Sequence, residues 1–242
     1  MSGTTHVRYE ILRTFRNPRS LAVTMALPLV VYYSVAGANR HAITSGISFP
    51  LYFMAAMAAY GAMFATVSAG GHLTIDRAGG WTRQLRVTPL RARTEIAAKV
   101  LAAYLVALAA LALLFVAGVT LGVHLDSAQW IVMTGLLLAG LAPFVLMGLI
   151  LGHLVPSDAL VPAVGGIVVV FALFGGVFGS FFNGGALLTF TRLLPSYWLA
   201  HAGNAVLLSG DWPREGWIVV AGWTVVLTVL ATVAYRCGTE RA

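Results

Sequence analysis

The chain has 242 residues, of which 59% are hydrophobic and only 10% are charged, and its formal net charge is +7. A soluble domain of this length still shows about a quarter of its chain surface to water, so this composition excludes a soluble globular protein. Apolar runs such as AALALLFVAGVTLG do not alternate every second residue, which excludes a transmembrane β-barrel. The composition therefore predicts an all-α integral membrane protein.

The first segment, residues 4–18, is predicted to be an amphipathic helix that lies in the cytoplasmic interface. Val7, Ile11 and Phe15 recur every four residues, and charged residues occupy the other faces. Pro18 is expected to end this helix, because the residue before a proline is pushed out of the α region. The alternative is a plain basic flank that only sets the topology.

Windows of roughly 20 residues without charge are long enough to cross about 30 Å of hydrocarbon as helices. Six spans are predicted, at residues 21–38, 50–71, 95–123, 130–154, 159–182 and 217–235. All but three of the 15 lysine and arginine residues then fall on one side, the exceptions being Arg40, Arg192 and Arg214. By the positive-inside rule that side, which holds both termini, is cytoplasmic. The net charge therefore indicates topology and contact with membrane lipids, and no nucleic-acid partner is expected.

The first two spans carry an aromatic and thioether surface that suits bulky apolar ligands. The candidate substrate-path residues are Tyr32, Tyr33, Tyr52, Phe53, Met57, Tyr60 and Phe64. The alternative is that these side chains pack helices together or face lipid.

Residues 73–94, between the second and third spans, concentrate charge in a chain that has little elsewhere. The dipeptides GG and TP bracket a short helix in which Trp81 and Leu85 share one face. Arg83 and Arg86 stand beside them and suit acidic residues of a partner. The pattern predicts a cytoplasmic docking helix; the alternative is a basic loop whose Trp81 anchors in the lipid headgroups.

The fifth predicted span is rich in glycine, and Gly175 and Gly179 have the small-xxx-small spacing that allows close helix contact. The spacing predicts a close helix contact at these two glycines. The segment that follows, residues 183–215, is too apolar for a free loop and too interrupted for a spanning helix. It is predicted to form short helices that re-enter the membrane or cap its outer leaflet, and its aromatic residues are expected to form an interfacial belt.

Neither a catalytic site nor a metal site is expected from the sequence. The only lysine, Lys99, lacks the glycine context of a phosphate-binding loop, so the chain is not expected to hydrolyse ATP by itself or to bind a cofactor. Away from their ends, the predicted spans carry no ionisable residue that could couple transport to an ion. Energy for transport would therefore have to enter from outside the bilayer, and residues 73–94 offer the surface for it.

The chain resembles the permeases of ABC-2 type transporters, in particular small bacterial exporters similar to the daunorubicin-resistance permease family. The sequence RNP precedes the first span, and LPL lies within that span. The charged segment that follows the second span has the order of residue types that is typical of the family. The positions of that segment that match the family are Asp76, Arg77, Gly80, Leu85, Thr88 and Pro89. Trp81 and Thr82 depart from a common Thr-Leu pair, and Arg83 stands where a glutamate is common.

The resemblance implies a half-transporter, in which two six-span subunits each pair with a cytoplasmic ATP-binding subunit that holds ATP and Mg²⁺. Residues 73–94 would be the coupling helix, and the second permease would be another copy of this chain or a paralogue. In the family the fifth span lies near the subunit interface, which implies that Gly175 and Gly179 serve dimer packing and gating. The implied setting is the bacterial inner membrane, and the implied cargo is a drug-like hydrophobic or amphipathic molecule or a lipid, as in multidrug efflux and antibiotic resistance. The alternatives are a glycolipid or glycan precursor, an ion, or a membrane assembly factor that transports nothing.

Overall fold

A computed structural model describes residues 18–44, 46–78, 92–178, 185–202, 205–206 and 212–240. Its helices are α1 Pro18–Ala38, α2 Phe49–Ala78, α3 Ala92–Thr120, α4 Ser127–Gly140, α5 Ala142–Leu154, α6 Leu160–Phe174, α7 Gly185–Arg192, α8 Pro195–Ala200 and α9 Arg214–Glu240. A small antiparallel hairpin, β1 Ile43–Thr44 and β2 Ile47–Ser48, joins α1 to α2. The prediction of an all-α membrane protein is confirmed. The interfacial helix predicted at residues 4–18 lies outside the described residues, apart from Pro18, which begins α1.

Four of the described helical segments are long and apolar enough to cross a membrane: Phe49–Gly70, Ile96–Thr120, Ser127–Leu154 and Arg214–Ala234. Two shorter apolar helices, Met25–Ala38 and Leu160–Phe174, accompany them. These helices make the chain a multi-pass membrane protein. Most ends of the predicted spans lie within a few residues of an observed helix end. This is because a helix needs a long apolar segment to cross the bilayer.

Helix α2 forms the centre of the bundle, where it contacts α1, α3, α5, α6 and α8. Of its apolar window, 83% is buried, against 17% for the window of α9. Alanines make up much of α2, and small side chains let the neighbouring helices approach closely. Helix α1 approaches α2 closely in this way, since Pro28 of α1 packs against Gly61 of α2. The most buried helix is therefore also the one that leads into residues 79–91.

The predicted fourth span is divided into α4 and α5 at Leu141. Pro143 stands in the first turn of α5, where its missing N–H group removes no helical hydrogen bond. The Leu141 N–H donates to the carbonyls of both Leu137 and Leu138. The two halves therefore form one apolar segment with a break near its middle.

Helix α6 is shorter than the predicted span 159–182, because it ends at Phe174. Gly176 has a φ of 74°, and the N–H groups of Gly176 and Val177 donate to the carbonyls of Leu173 and Ala172. This is the Schellman arrangement, in which a left-handed glycine terminates a helix. At 1.5 Å per residue, the 15 residues of α6 are about 22 Å long, less than the roughly 30 Å of the hydrocarbon layer. By itself, α6 is therefore too short to cross the hydrocarbon layer.

Gly176→Ala should lower the free energy of unfolding by about 1 kcal/mol, because alanine is strained at a positive φ. The measurement is the apparent melting temperature of the detergent-purified protein. Gly166→Ala is the matched control, since Gly166 lies within the same helix and a Cβ there would meet nothing within 4 Å. Equal melting temperatures for the two variants would contradict a left-handed cap at Gly176.

Candidate functional site

Helices α7 and α8 follow the short α6, and α8 packs against α4, α6 and α9. Leu199 of α8 packs at Gly140 of α4, beside Trp212. The Trp223 indole Nε1 donates to the Leu193 carbonyl over 2.8 Å, and the Trp198 ring lies against Gly216 in the first turn of α9. We call residues 185–202 the α7–α8 hairpin below; its re-entry into the membrane stays a prediction.

Glycines on three surrounding elements make room for α8. A Cβ on Gly140 would lie 2.8 Å from Leu199 Cδ1, and one on Gly216 would lie 2.7 Å from the Trp198 ring. A Cβ on Gly175 would lie 2.8 Å from both the carbonyl carbon and the Cβ of Ser196. Since α8 is seated against the fourth, fifth and sixth predicted spans at once, it links their outer halves.

The backbone at the tip of the hairpin is held by two tryptophans. The Trp198 Nε1 donates to the Arg192 carbonyl and the Trp223 Nε1 donates to the Leu193 carbonyl, both over 2.8 Å. These carbonyls lie at the end of α7, where a helix leaves its last C=O groups without partners. The two indoles supply protein donors for these carbonyls.

His201 follows α8 and lies outside the spanning helices. Its Nδ1 lies 2.7 Å from the Tyr197 carbonyl oxygen, and its ring stacks on Tyr197 with centroids 4.1 Å apart. Burial lowers the pKa of His201; the hydrogen bond to the Tyr197 carbonyl raises it and the charge of Arg192 lowers it further. The neutral imidazole is therefore favoured, and Nδ1 carries the proton because a carbonyl oxygen can only accept.

The predicted substrate-path residues divide into two clusters along α2. In the outer cluster, Tyr32 stacks on Phe53 with centroids 6.4 Å apart, and its hydroxyl donates to the Pro50 carbonyl over 3.2 Å. Tyr33 lies beside Tyr32 but is exposed, and Tyr52 joins through Phe49. The hydroxyls of Tyr33 and Thr120 lie 2.9 Å apart, which ties α1 to α3.

The inner cluster holds Tyr60 and Phe64, whose ring centroids lie 6.5 Å apart. Phe178, just after α6, contacts Tyr60 at 5.6 Å between centroids. Met57, between the clusters in sequence, is fully buried. Packing accounts for the buried positions of Tyr32, Phe53 and Met57 within the single chain, and a substrate path along α2 stays a prediction.

Helices α2 and α5 cross at Gly70 and Gly148 with their backbones in contact. A Cβ on Gly148 would lie 2.7 Å from the Val67 carbonyl oxygen and 2.9 Å from that of Thr66. A Cβ on Gly70 would lie 2.6 Å from the Gly148 Cα. No side chain larger than hydrogen fits at this crossing, which lies eight residues, or about 12 Å, before the end of α2 at Ala78.

A family model described as ABC-2 type transporter matches residues 4–208 of the 242-residue chain. The chain belongs to the ABC-2 type transporter family. Comparison with curated proteins gives no match, and comparison with solved structures gives none either. As an ABC-2 type transporter chain, it is a transmembrane permease component of an ABC transporter, and the ATPase activity resides in a separate subunit.

In this ABC-2 permease, most of the predicted coupling residues lie outside the described part of the chain. Those residues are Gly80, Trp81, Arg83, Leu85, Arg86, Thr88 and Pro89. Asp76 and Arg77 belong to the last turns of the α2 backbone, and their side chains are likewise outside the description. Their coupling role stays a prediction. Of the two glycines assigned to packing and gating, Gly175 contacts α8 and Gly179 is not among the described residues.

Sequence reasoning overlooked two features of the ABC-2 permease. It singled out neither Gly140 nor Gly216, because both contact residues distant in sequence and glycine is frequent throughout the chain. It also did not predict that the Trp223 indole bonds the Leu193 carbonyl and so ties the end of α7 to α9. Among the described residues, no group of three or more His, Cys, Asp or Glu side chains could hold a metal ion.

Proposed function

We propose that this chain is the membrane subunit of an ATP-driven exporter that moves a hydrophobic or amphipathic small molecule, or a lipid, out of the cytoplasm. One observation supports this most directly. Residues 79–91 connect α2 and α3, and α2 is the most enclosed of the four candidate spans. A force applied to this connection would reach the helix that contacts most of the bundle.

The ATP-binding subunit would dock on residues 73–94, with Trp81 and Leu85 filling a groove and Arg83 and Arg86 meeting acidic residues. ATP and Mg²⁺ would bind in that subunit. The excess of basic residues supports a cytoplasmic position for the segment and for both termini, in a bacterial inner membrane. The second permease would be another copy of this chain or a paralogue.

A substrate that partitions into lipid agrees with the composition of the spans. Apart from Lys99 in the first turn of the Ile96–Thr120 segment, the described side chains of α2, α3, α4 and α5 carry no charge away from the helix ends, so a strongly polar cargo would find few partners along them. A drug-like or lipid molecule would meet the Tyr, Phe and Met side chains of α2 when the two permease subunits separate.

The test is to tag the chain, extract it from its native membrane in mild detergent, and identify the bound proteins by mass spectrometry. We expect a phosphate-loop ATPase at near-equal stoichiometry, reduced at least about tenfold in the Trp81→Ala/Leu85→Ala double variant. The matched control is Trp217→Ala/Ile218→Ala, an exposed pair at the outer end of α9. It removes similar side chains on the opposite side of the membrane and should leave the ATPase bound.

Two results would overturn this proposal. Extraction of the wild-type chain without any ATPase would favour an assembly factor, and residues 73–94 would then be only a topology signal. Equal ATPase recovery from the Trp81→Ala/Leu85→Ala variant and the wild type would place the docking surface elsewhere.

A further inference from the structure

The apolar segment Ser127–Leu154 lacks part of the hydrogen bonding of a regular helix near its middle. Pro143 has no N–H group, so the bond that a continuous helix would make from residue 143 to the Ala139 carbonyl is missing. The Leu141 N–H is shared between two carbonyls of the preceding turn, over 3.0 and 3.3 Å. Its backbone still lies in the right-handed helical region, with φ −79° and ψ −13°. The helices α4 and α5 are therefore joined without a loop, but by a weakened turn.

Helix α5 is fixed to the centre of the bundle. A Cβ on Gly148 would lie 2.7 Å from the Val67 carbonyl oxygen, so the backbones of α5 and α2 are in contact. Phe144, in the first turn of α5, is buried and packs edge to face on Phe171 of α6, with ring centroids 5.5 Å apart. Helix α5 also lies along α9. These contacts leave α5 little freedom to tilt against α2.

Helix α4 has different neighbours, chiefly α8 and α3. Leu199 of α8 packs at Gly140, where a Cβ would lie 2.8 Å from the Leu199 Cδ1. Trp130 packs on Phe115 of α3, with ring centroids 4.7 Å apart. These are contacts of side chains, which can change rotamer, whereas Gly148 of α5 meets backbone atoms. Helix α4 is thus held less rigidly than α5.

We propose that residues 141–143 are a hinge on which α4 tilts while α5 stays on α2. A proline inside a helical segment makes bending easier, because the hydrogen bond that would resist it is absent and the ring pushes the preceding turn away. Because Leu199 packs at Gly140, a tilt of α4 would act directly on α8 and leave the crossing at Gly148 intact. Use of this hinge as a gate during transport rests on the proposed function, whereas the hinge itself does not.

The test is double electron–electron resonance on the full-length chain in detergent, with spin labels on cysteine pairs in a Cys237→Ser background. Val132→Cys/Leu154→Cys puts labels at exposed positions of α4 and α5. Ala97→Cys/Val119→Cys puts them at exposed positions of the uninterrupted helix α3, with the same separation of 22 positions. In a straight helix each pair of Cα atoms would be about 33 Å apart. We expect the distance distribution of the α4–α5 pair to be at least roughly twice as wide as that of the α3 pair.

Pro143→Ala restores the missing N–H group and should narrow the α4–α5 distribution to the width of the α3 distribution. The matched control is Pro28→Ala, which removes the proline inside α1 and should leave the α4–α5 distribution unchanged. The comparison of the two label pairs needs no substitution at Pro143. It therefore tests the hinge even if Pro143→Ala folds poorly.

Equal widths for the two label pairs before any proline is replaced would overturn the hinge. An unchanged width in Pro143→Ala, or equal narrowing in Pro28→Ala, would overturn it as well, because the bending would then not arise at residues 141–143. These measurements do not require the ATP-binding subunit. Failure to recover an ATPase from the native membrane would thus reject the exporter proposal and leave the hinge standing. An ATPase that co-purifies while the two pairs have equal widths would reject the hinge alone.

Discussion

Gly148→Ala should lower the apparent melting temperature of the purified protein by roughly 2–12 °C. The added methyl group would lie 2.7 Å from the Val67 carbonyl oxygen, which belongs to the backbone of the central helix and cannot rotate away. Overpacking of this kind costs about 1–3 kcal/mol, and a protein of this size loses about 2–4 °C per kcal/mol. The measurement is a thermal shift followed by size-exclusion chromatography in detergent.

The control is Gly135→Ala in the same predicted span, where a Cβ would meet nothing within 4 Å. Because alanine favours the helix over glycine by about 1 kcal/mol, this variant should melt at the wild-type temperature or slightly above it. The two substitutions are chemically identical and are expected to act in opposite directions. A similar melting temperature for both would show that α2 and α5 do not cross at Gly148.

The same crossing is expected to matter for coupling. The crossing at Gly70 lies eight residues before the end of α2 at Ala78, so a movement of the connection at residues 79–91 would reach α5 through this contact. Because Gly70 and Gly148 contact each other, Gly70→Ala and Gly148→Ala should not be additive when combined. An ATPase rate that no longer responds to transported substrate would be the functional sign of a loosened crossing.

Gly175→Val should displace α8 from the end of α6. At Gly175 an added Cβ would lie 2.8 Å from the Ser196 carbonyl carbon, so the backbone of α8 itself would have to move. Ser196 is only 1% exposed, and a cysteine placed there should be protected from maleimide reagents. In a Ser196→Cys/Cys237→Ser background, we expect Gly175→Val to increase the labelling rate about tenfold or more, since labelling follows the population of the opened state.

Gly165→Val is the control for this experiment, because Gly165 lies within α6 and has open space at its Cβ. It should leave the labelling rate of Ser196→Cys unchanged. Rapid labelling before any glycine is substituted would mean that α8 is not seated against α6. Protection that persists in Gly175→Val would mean that the contact at Gly175 does not hold α8 in place.

A hairpin seated in this way gives the outer half of the permease a single element that three spans share. Leu199 contacts the fourth predicted span, Ser196 the end of α6, and Trp198 the start of α9. Any rearrangement that separates these spans must break the contact of α8 with at least one of Gly140, Gly175 and Gly216. The charged tip at Arg192 would then move together with α8, because its carbonyl is bonded to Trp198.

Much of the architecture followed from the sequence for simple physical reasons. Crossing a bilayer requires long apolar windows, so α2, α3 and α9 were predicted close to their observed bounds. The family was also recognisable from the order of weak motifs along the chain, and a family model over residues 4–208 confirms it. Short helices were predicted in the segment before α9 because its apolar residues are interrupted by Gly, Asn and Pro, and α7 and α8 lie there. Whether they re-enter the membrane or cap its outer leaflet stays a prediction.

The end of α6 could not be predicted in this way. The chain has two glycine pairs there, and Gly165-Gly166 lies within the helix whereas Gly175-Gly176 terminates it. The two pairs are identical in sequence and differ in their surroundings. A Cβ on Gly165 or Gly166 would meet nothing within 4 Å, while Gly175 receives Ser196 of α8.

The sequence by itself determined that this is a helical membrane protein, which segments are apolar enough to cross the bilayer, and which family it belongs to, because these depend on composition and local order. Only the tertiary structure decided the end of α6, the crossing at Gly148 and the seat of α8, because each depends on contacts between residues far apart in the chain.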